Sequence, residues 1–391
     1  MLVIQALSAL AAGGAILCSQ YLGSHNEKSA NHAARQVLLV MAVLSIALSL
    51  LCLIFRVPML HFIFGKVEAD VMANSQAYFL FTLLSFPFIG LYDAGASIMR
   101  AQNDSRRPMI ISVISNFLNI GGNAILIFGL NMGVAGAAIS TLISRIFCAV
   151  VVIWQLRGDK EPISVRNYLS IQPDFSLIKN ILYIGIPSGI ENSMFQFGKL
   201  AIQSTVSTLG TIAIAAQAMT NILEMLNGVA AMGIGIGLMT VVGQCLGAGR
   251  KDEAVYYIKK LSWLAEIVII ASCLIVLALT KPITMLGGME AESAKLCFNM
   301  VIFITITKPI SWVLSFIPAY GMRAAGDVKF SMITSCCTMW LCRVSLCIYL
   351  CRVWGFGPIA VWIGMFADWS LRAIIFTIRF HSRKWLEHKV I

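Results

Sequence analysis

Charge is what this sequence has least of. Only 12% of its 391 residues are charged against 59% hydrophobic, and the mean hydropathy is +0.84. A soluble chain carries about 25% charged residues, so a water-soluble globular protein is excluded. Acids are scarcer than bases, 18 against 29, which leaves a net charge of +11. The bases sit in short connections between apolar runs and form no stripe on a folded surface, so the partner is membrane lipid and not nucleic acid. Histidine is rare too: the five are scattered beside the runs, without the His-Glu-x-x-His spacing of a zinc protease. Most of the 11 cysteines, among them Cys18, Cys52, Cys273 and Cys347, lie inside apolar runs, where a thiol behaves as a small hydrophobe. Cys336, Cys337 and Cys342 lack companion ligands, so neither a metal nor another cofactor is expected. Long polar segments are also missing. The longest, from about Arg157 to Lys179, is too short for a catalytic module, and no nucleophile and base are paired at either interface, so the chain does not read as an enzyme.

What the chain does have is apolar runs. Eleven are long enough for a hydrocarbon layer of about 30 Å: 1–22, 37–55, 77–98, 109–128, 134–156, 179–206, 211–243, 261–280, 296–320, 330–351 and 356–378. They must be helices, because an open sheet edge in lipid leaves backbone groups unpaired. The expected fold class is therefore all-α, a polytopic membrane protein. Alternate connections are rich and poor in bases. The rich set runs from Lys28 and Arg35 to Arg379, Arg383, Lys384 and Lys389, 19 in all, while the poor set holds only Arg56, Lys66, Lys281, Lys295 and Arg352. By the positive-inside rule the rich side and the carboxyl terminus are cytoplasmic.

The sequence also repeats itself. Ser19-Gln20-Tyr21-Leu22-Gly23-Ser24 recurs as Gly243-Gln244-Cys245-Leu246-Gly247-Ala248, so that Gln20 and Gln244 are 224 apart. Met99-Arg100-Ala101-Gln102-Asn103-Asp104 lines up with Met322-Arg323-Ala324-Ala325-Gly326-Asp327 at a separation of 223, and Gly133 with Gly355 at 222. Three blocks in one order at nearly one offset indicate two homologous halves. Matching helices point the same way, which makes the repeats parallel. Span one matches span seven and spans two to five match eight to eleven, but the counterpart of span six would begin about forty residues before Met1. The expected arrangement is thus six plus six with the first helix missing. It divides into an amino-terminal lobe of five helices over 1–156, a cytoplasmic linker over 157–178, a carboxyl-terminal lobe of six over 179–378 and a tail over 379–391.

Ionisable residues inside spans mark function, because an unpaired charge at mid-membrane costs roughly 2.5–3.5 kcal/mol or more. Glu191 leads. It follows Gly185-Ile186-Pro187-Ser188-Gly189, where proline removes a backbone donor, and shares its run with Asn192, Gln196 and Gln203. The bland alternative is a structural carboxyl held by Lys199 or a neighbouring helix. Glu224 and Asn227 are expected to line the same cavity; Lys308, beside Pro309, either answers Glu191 or snorkels; Asp93 pairs with Arg100 or opens inward. Asp368 is a further candidate for ion coupling or substrate binding, or else it and Arg372, four apart on one helical face, simply satisfy each other, and Arg145 and Arg343 are expected to pair with acids across a bundle. Phe195, Trp312 and Phe316 would suit organic cations, or else simply pack. The repeated Gln-x-Leu-Gly motif reads first as a helix stop.

The paired blocks Ser19 to Gly23 and Gly243 to Gly249, the segment Gly185 to Asn192, the run Ala213 to Gln217 and the segment Arg323 to Asp327 together resemble the bacterial multidrug and toxic compound extrusion transporters. The resemblance implies monomeric secondary antiporters of the bacterial inner (plasma) membrane with two six-helix lobes, exchanging small organic cations or lipophilic drugs for protons or sodium by alternating access. It also implies that Glu191 matches the glutamate that many members use for coupling. A lipid-linked precursor flippase of similar architecture, and an inactive or scaffolding membrane protein, are the rival readings.

Overall fold

The computed structural model describes residues 2–64, 68–158, 161–166, 168, 171–388 and 390, and all regular structure among them is helical. Fourteen α-helices follow in order: α1 (Leu2–Gly23), α2 (Glu27–Ile54), α3 (Arg56–Phe64), α4 (Ala69–Leu84), α5 (Phe86–Ala101), α6 (Arg106–Asn123), α7 (Gly133–Gln155), α8 (Phe175–Val206), α9 (Thr211–Gly247), α10 (Lys251–Leu286), α11 (Ala291–Ala324), α12 (Val328–Cys337), α13 (Ser345–Arg352) and α14 (Ile359–His381). Two π-helical segments interrupt them, Ala124–Gly129 after α6 and Thr338–Val344 between α12 and α13.

Among the described residues, ten stretches are long and apolar enough to cross a membrane, not eleven. The exception is the sixth expected span, which lies in α8. That helix is 32 residues long, but Asn180, Ser188, Glu191, Asn192, Gln196, Lys199 and Gln203 dilute its apolar content. The third span also differs from expectation: it is two helices, α4 and α5, joined at Ser85 where Pro87 enters the first turn of α5. Lipid-type surfaces are plain on α6, where only Pro108 and Ile111 are buried while Phe117 and Ile120 face outward. In water such a face would be a liability; against lipid chains it is the ordinary condition.

The sequence repeat is a repeat of backbone geometry. His25 (φ 58°) and Gly249 (φ 73°) are left-handed at a separation of 224, Asn103 (φ 65°) and Gly326 (φ 91°) at 223, and Gly133 (φ 52°) and Gly355 (φ 65°) at 222. The closing hydrogen bonds match as well. Asn26 N–H donates to Tyr21 O at 3.0 Å, as Arg250 N–H does to Cys245 O at 2.8 Å; Asp104 N–H donates to Met99 O and Asp327 N–H to Met322 O, both at 3.0 Å. These left-handed stops satisfy carbonyls that the last helical turn leaves free. The repeated motifs are therefore helix terminators.

The chain divides into two compact units, 1–189 and 190–391, with the boundary inside α8. In the first unit α1 packs on α2 and α5, while α4, α5 and α6 pack on α7. A β-carbon on Gly13 would stand 2.9 Å from Gly185 N, so α1 and the first half of α8 meet backbone to backbone. The segment after α7 is fastened to this unit. Asn31 accepts from Ser164 N–H (2.8 Å) and donates to Pro162 O (2.8 Å), Gln102 accepts from Ile163 N–H (3.0 Å), Arg107 pairs with Glu161 (2.7 Å), and Gln36 donates to Gln172 O (2.8 Å).

In the second unit α9 packs on α10 and α11, and α11 on α14. The core near the end of α14 holds Trp312, Trp369, Phe376 and Trp385, all buried. The tail folds back on its own unit. Asp327 pairs with Arg379 (2.8 Å) and His388 (3.3 Å), Arg383 with Asp252 (3.0 Å), and the Trp385 ring stacks on Phe380 at 5.8 Å. Each half thus ends in a strap laid across the loop that carries its own second repeat motif.

Candidate functional site

Buried charge gathers in the second unit. Glu191, one turn beyond Pro187 in α8, is 3% exposed, and Arg323 Nη2 donates to its Oε1 at 2.7 Å. The partner is thus neither Lys308 nor Lys199, which is exposed, but an arginine from the second copy of the repeat motif. Position explains the choice: Arg323 sits in the last turn of α11, where its cation also suits the helix carbonyl end. Asn192 and Gln196 lie half-buried on the same helix.

Lys308 is wholly buried on α11 and reaches α9 instead. Its ammonium donates to Glu224 Oε1 at 2.6 Å, to Glu224 O at 3.1 Å and to Asn227 Oδ1. Three donors meet three oxygens, so the head is satisfied without snorkelling. Trp312 and Trp369 lie beneath it, with ring centroids at 5.4 and 6.0 Å. Glu224, Asn227 and Lys308 therefore come together as one cluster.

Asp368, fully buried on α14, takes two arginines. Arg372 lies one turn on, at 2.8 Å, and Arg343 reaches it from the π-helical segment at 2.6 Å. The Arg372 guanidinium also donates to Thr338 Oγ1 at 3.4 Å. The close contact depends on Gly364, where a β-carbon would stand 2.8 Å from Arg343 O. Phe195 lies under both guanidinium groups, at 5.7 and 4.9 Å, Phe316 under that of Arg372 at 5.2 Å, and Trp369 under that of Arg343 at 5.9 Å. The aromatic residues that the sequence offered for an organic cation are thus already facing the protein's own cations.

Asp93 belongs to the first unit. It is half-buried on α5 and accepts from Ser8 Oγ of α1 at 2.5 Å. Arg100 donates to Ser97 rather than to Asp93, and Arg145 to Ser85, so Asp93 has no ion pair among the described residues. No group of three or more His, Cys, Asp or Glu residues placed to hold a metal occurs among them either.

A family profile decides what kind of protein carries these charges. The MatE profile matches residues 1–125 and 187–349. The chain belongs to the MatE family. Membership makes it a multi-pass secondary transporter rather than an enzyme. It is 25% identical over 397 residues to the probable multidrug resistance protein NorM of Thermotoga maritima, covering 98% of this chain and 83% of that one. To the uncharacterised transporter YisQ of Bacillus subtilis it is 27% identical over 401 residues, covering 99% and 85%. The fold matches an outward-facing multidrug resistance MATE family transporter with a TM-score of 0.86 at 19% identity, covering 98% and 85%. It matches a MOP superfamily transporter from Pyrococcus furiosus with a TM-score of 0.84 at 21% identity, covering 99% and 86%. Both parts of the MatE match hold helices that carry these charges: α5 with Asp93 lies in the first, and α8, α9 and α11 with Glu191, Glu224 and Lys308 in the second.

Proposed function

We propose that the chain is an antiporter of the inner membrane, with its carboxyl terminus in the cytoplasm, that exports lipophilic or cationic organic compounds in exchange for protons or sodium by alternating access. Glu191 is its coupling residue, and Asn192 and Gln196 belong to the same site. The helices form two parallel-repeat lobes of the six-plus-six type, and α8 opens the second lobe after the linker. The observation that carries the coupling assignment is the Glu191–Arg323 pair: the carboxylate is almost wholly buried, but Arg323 is partly exposed, with 19% of its side chain accessible. A proton or sodium ion that takes the carboxylate releases Arg323, which changes the local charge by one at the place where α8 carries Pro187. The names of relatives such as NorM of Thermotoga maritima and the multidrug export protein MepA of Staphylococcus aureus support an organic cargo.

The test is exchange in proteoliposomes. Ethidium efflux is followed under an imposed proton or sodium gradient with the wild-type chain and with Glu191→Gln. Gradient-driven exchange should fall by at least tenfold in the variant, while passive ethidium equilibration persists. Unchanged driven exchange would remove Glu191 from the coupling step.

A further inference from the structure

The charges of the second unit do not balance where they are most deeply buried. Glu191 has one arginine and Glu224 one lysine, but Asp368 alone faces both Arg343 and Arg372. All three side chains of this triad are at most 5% exposed, so two guanidinium groups share one carboxylate in the interior, with no second acid in an ion pair with either of them among the described residues. Burying an uncompensated charge is strongly unfavourable, and a membrane protein keeps one for a reason. The hydrogen bonds are unbalanced in the same direction. Arg343 Nε, Arg372 Nε and Trp369 Nε1 are all buried and have no hydrogen-bond partner among the described residues. Ring faces attract the guanidinium charge, but they accept hydrogen bonds only weakly. Buried donors are nearly always paired, so three orphans around one excess charge describe a missing acceptor that carries a negative charge.

The local backbone fits that assignment. Arg343 is carried by a π-helical segment, a widened turn that frequently marks a functional site, and Gly364 lets α14 approach it closely. The surroundings are aromatic: Phe195, Phe316 and Trp369 flank the guanidinium groups. We propose that the Arg343–Asp368–Arg372 triad, with Trp369, is an anion-binding subsite that takes the carboxylate of a lipophilic organic acid, whose apolar body lies against these rings. The inference rests on the transporter reading for its cargo role and narrows that cargo: what the chain exports includes organic acids, not lipophilic cations alone.

Binding and exchange separate the two claims. The full chain in neutral maltoside detergent is titrated with labelled benzoate and 1-naphthoate, with inorganic phosphate and chloride as competitors. Saturable binding of both acids, tighter for naphthoate, is expected. Arg343→Gln or Arg372→Gln should weaken it by about ten- to hundredfold, the loss of one or two charge-assisted hydrogen bonds. Arg343→Lys keeps the charge but loses the planar fork, so it should weaken binding while leaving the fold intact. A second readout needs no ligand. If the second arginine is an excess charge, Arg343→Gln raises the melting temperature of the anion-free protein and Asp368→Asn lowers it. Failure of both acids to bind, or a melting temperature that falls on Arg343→Gln, would overturn the subsite. Binding of phosphate or chloride alone would overturn the organic-acid cargo. Benzoate binding without any gradient-driven exchange would instead refute the antiporter reading and leave the subsite standing.

Discussion

The Lys308–Glu224 pair offers the sharpest energetic test in the molecule. Lys308 has no exposure and Glu224 Oε1 lies 2.6 Å away, while 19% of the Glu224 side chain is accessible. Glu224→Leu would leave an ammonium in a dry site with only Asn227, one backbone carbonyl and two indole faces. Breaking a buried pair from one side costs about 3–5 kcal/mol, of which the rings offset about 0.5–2 kcal/mol, so a net loss of about 1–4.5 kcal/mol is expected. Lys308→Met should cost less, since the remaining carboxylate reaches some water. The double variant, Glu224→Leu with Lys308→Met, removes both charges and should lie within about 1–2 kcal/mol of wild type, because a buried ion pair is often matched by apolar residues of like volume. The assay is equilibrium unfolding of the maltoside-solubilised protein by SDS, followed by tryptophan fluorescence. A Glu224→Leu loss below about 1 kcal/mol, or a double variant no better than the worse single one, would show that this pair is not the dry, coupled unit its geometry describes.

Two other consequences concern the straps. Asp327 is buried and holds both Arg379 and His388, so Asp327→Asn should loosen the tail by about 1–2 kcal/mol; tryptic cleavage at Arg383 and Lys384 should then rise roughly five- to thirtyfold, with a red shift as Trp385 meets water. At the other strap, the hydrogen bond from His32, with the N–H groups of Leu177 and Ser176, holds the Asp174 carboxyl below its ordinary value of 3.8. An acid held down in this way stabilises the fold fully above its unfolded value and loses that contribution as pH falls through the folded one. Hydrogen-exchange protection of the amides around 171–178 should therefore persist to mildly acid pH and drop below 3.8, and Asp174→Asn should abolish the pH step; a step unchanged in that variant would assign it to another group.

The helices were legible because the signal is local: hydropathy, proline and a repeated helix stop all act within one or two turns. Ten of the eleven expected spans recur as long apolar helical stretches, and the Gln-x-Leu-Gly motif ends a helix in both copies. The Asp368–Arg372 contact was legible for the same reason, lying four residues apart on one face. The other pairings were not. Glu191 meets Arg323 across 132 positions and Lys308 meets Glu224 across 84. Periodicity fixes which face of a helix is polar, but not which other helix that face will meet. Arg343 carried a faint signal, a base in an apolar run with no acid on its own helix, and that is the residue the π-helical turn brings to Asp368.

The matched left-handed stops bear on how the two halves share strain. At two of the three matched positions the later half uses glycine, Gly249 and Gly326, where the earlier half holds the same backbone with His25 and Asn103. A left-handed residue with a β-carbon costs roughly 1–2 kcal/mol, least for asparagine, whereas glycine takes the conformation freely and loses only about 0.5–1 kcal/mol in the entropy of the unfolded chain. The earlier half is thus the more strained copy of one design, and the later half supplies its correction. Writing glycine at His25 would shift the balance toward the folded protein, while the same change at Asn103 would leave it nearly level.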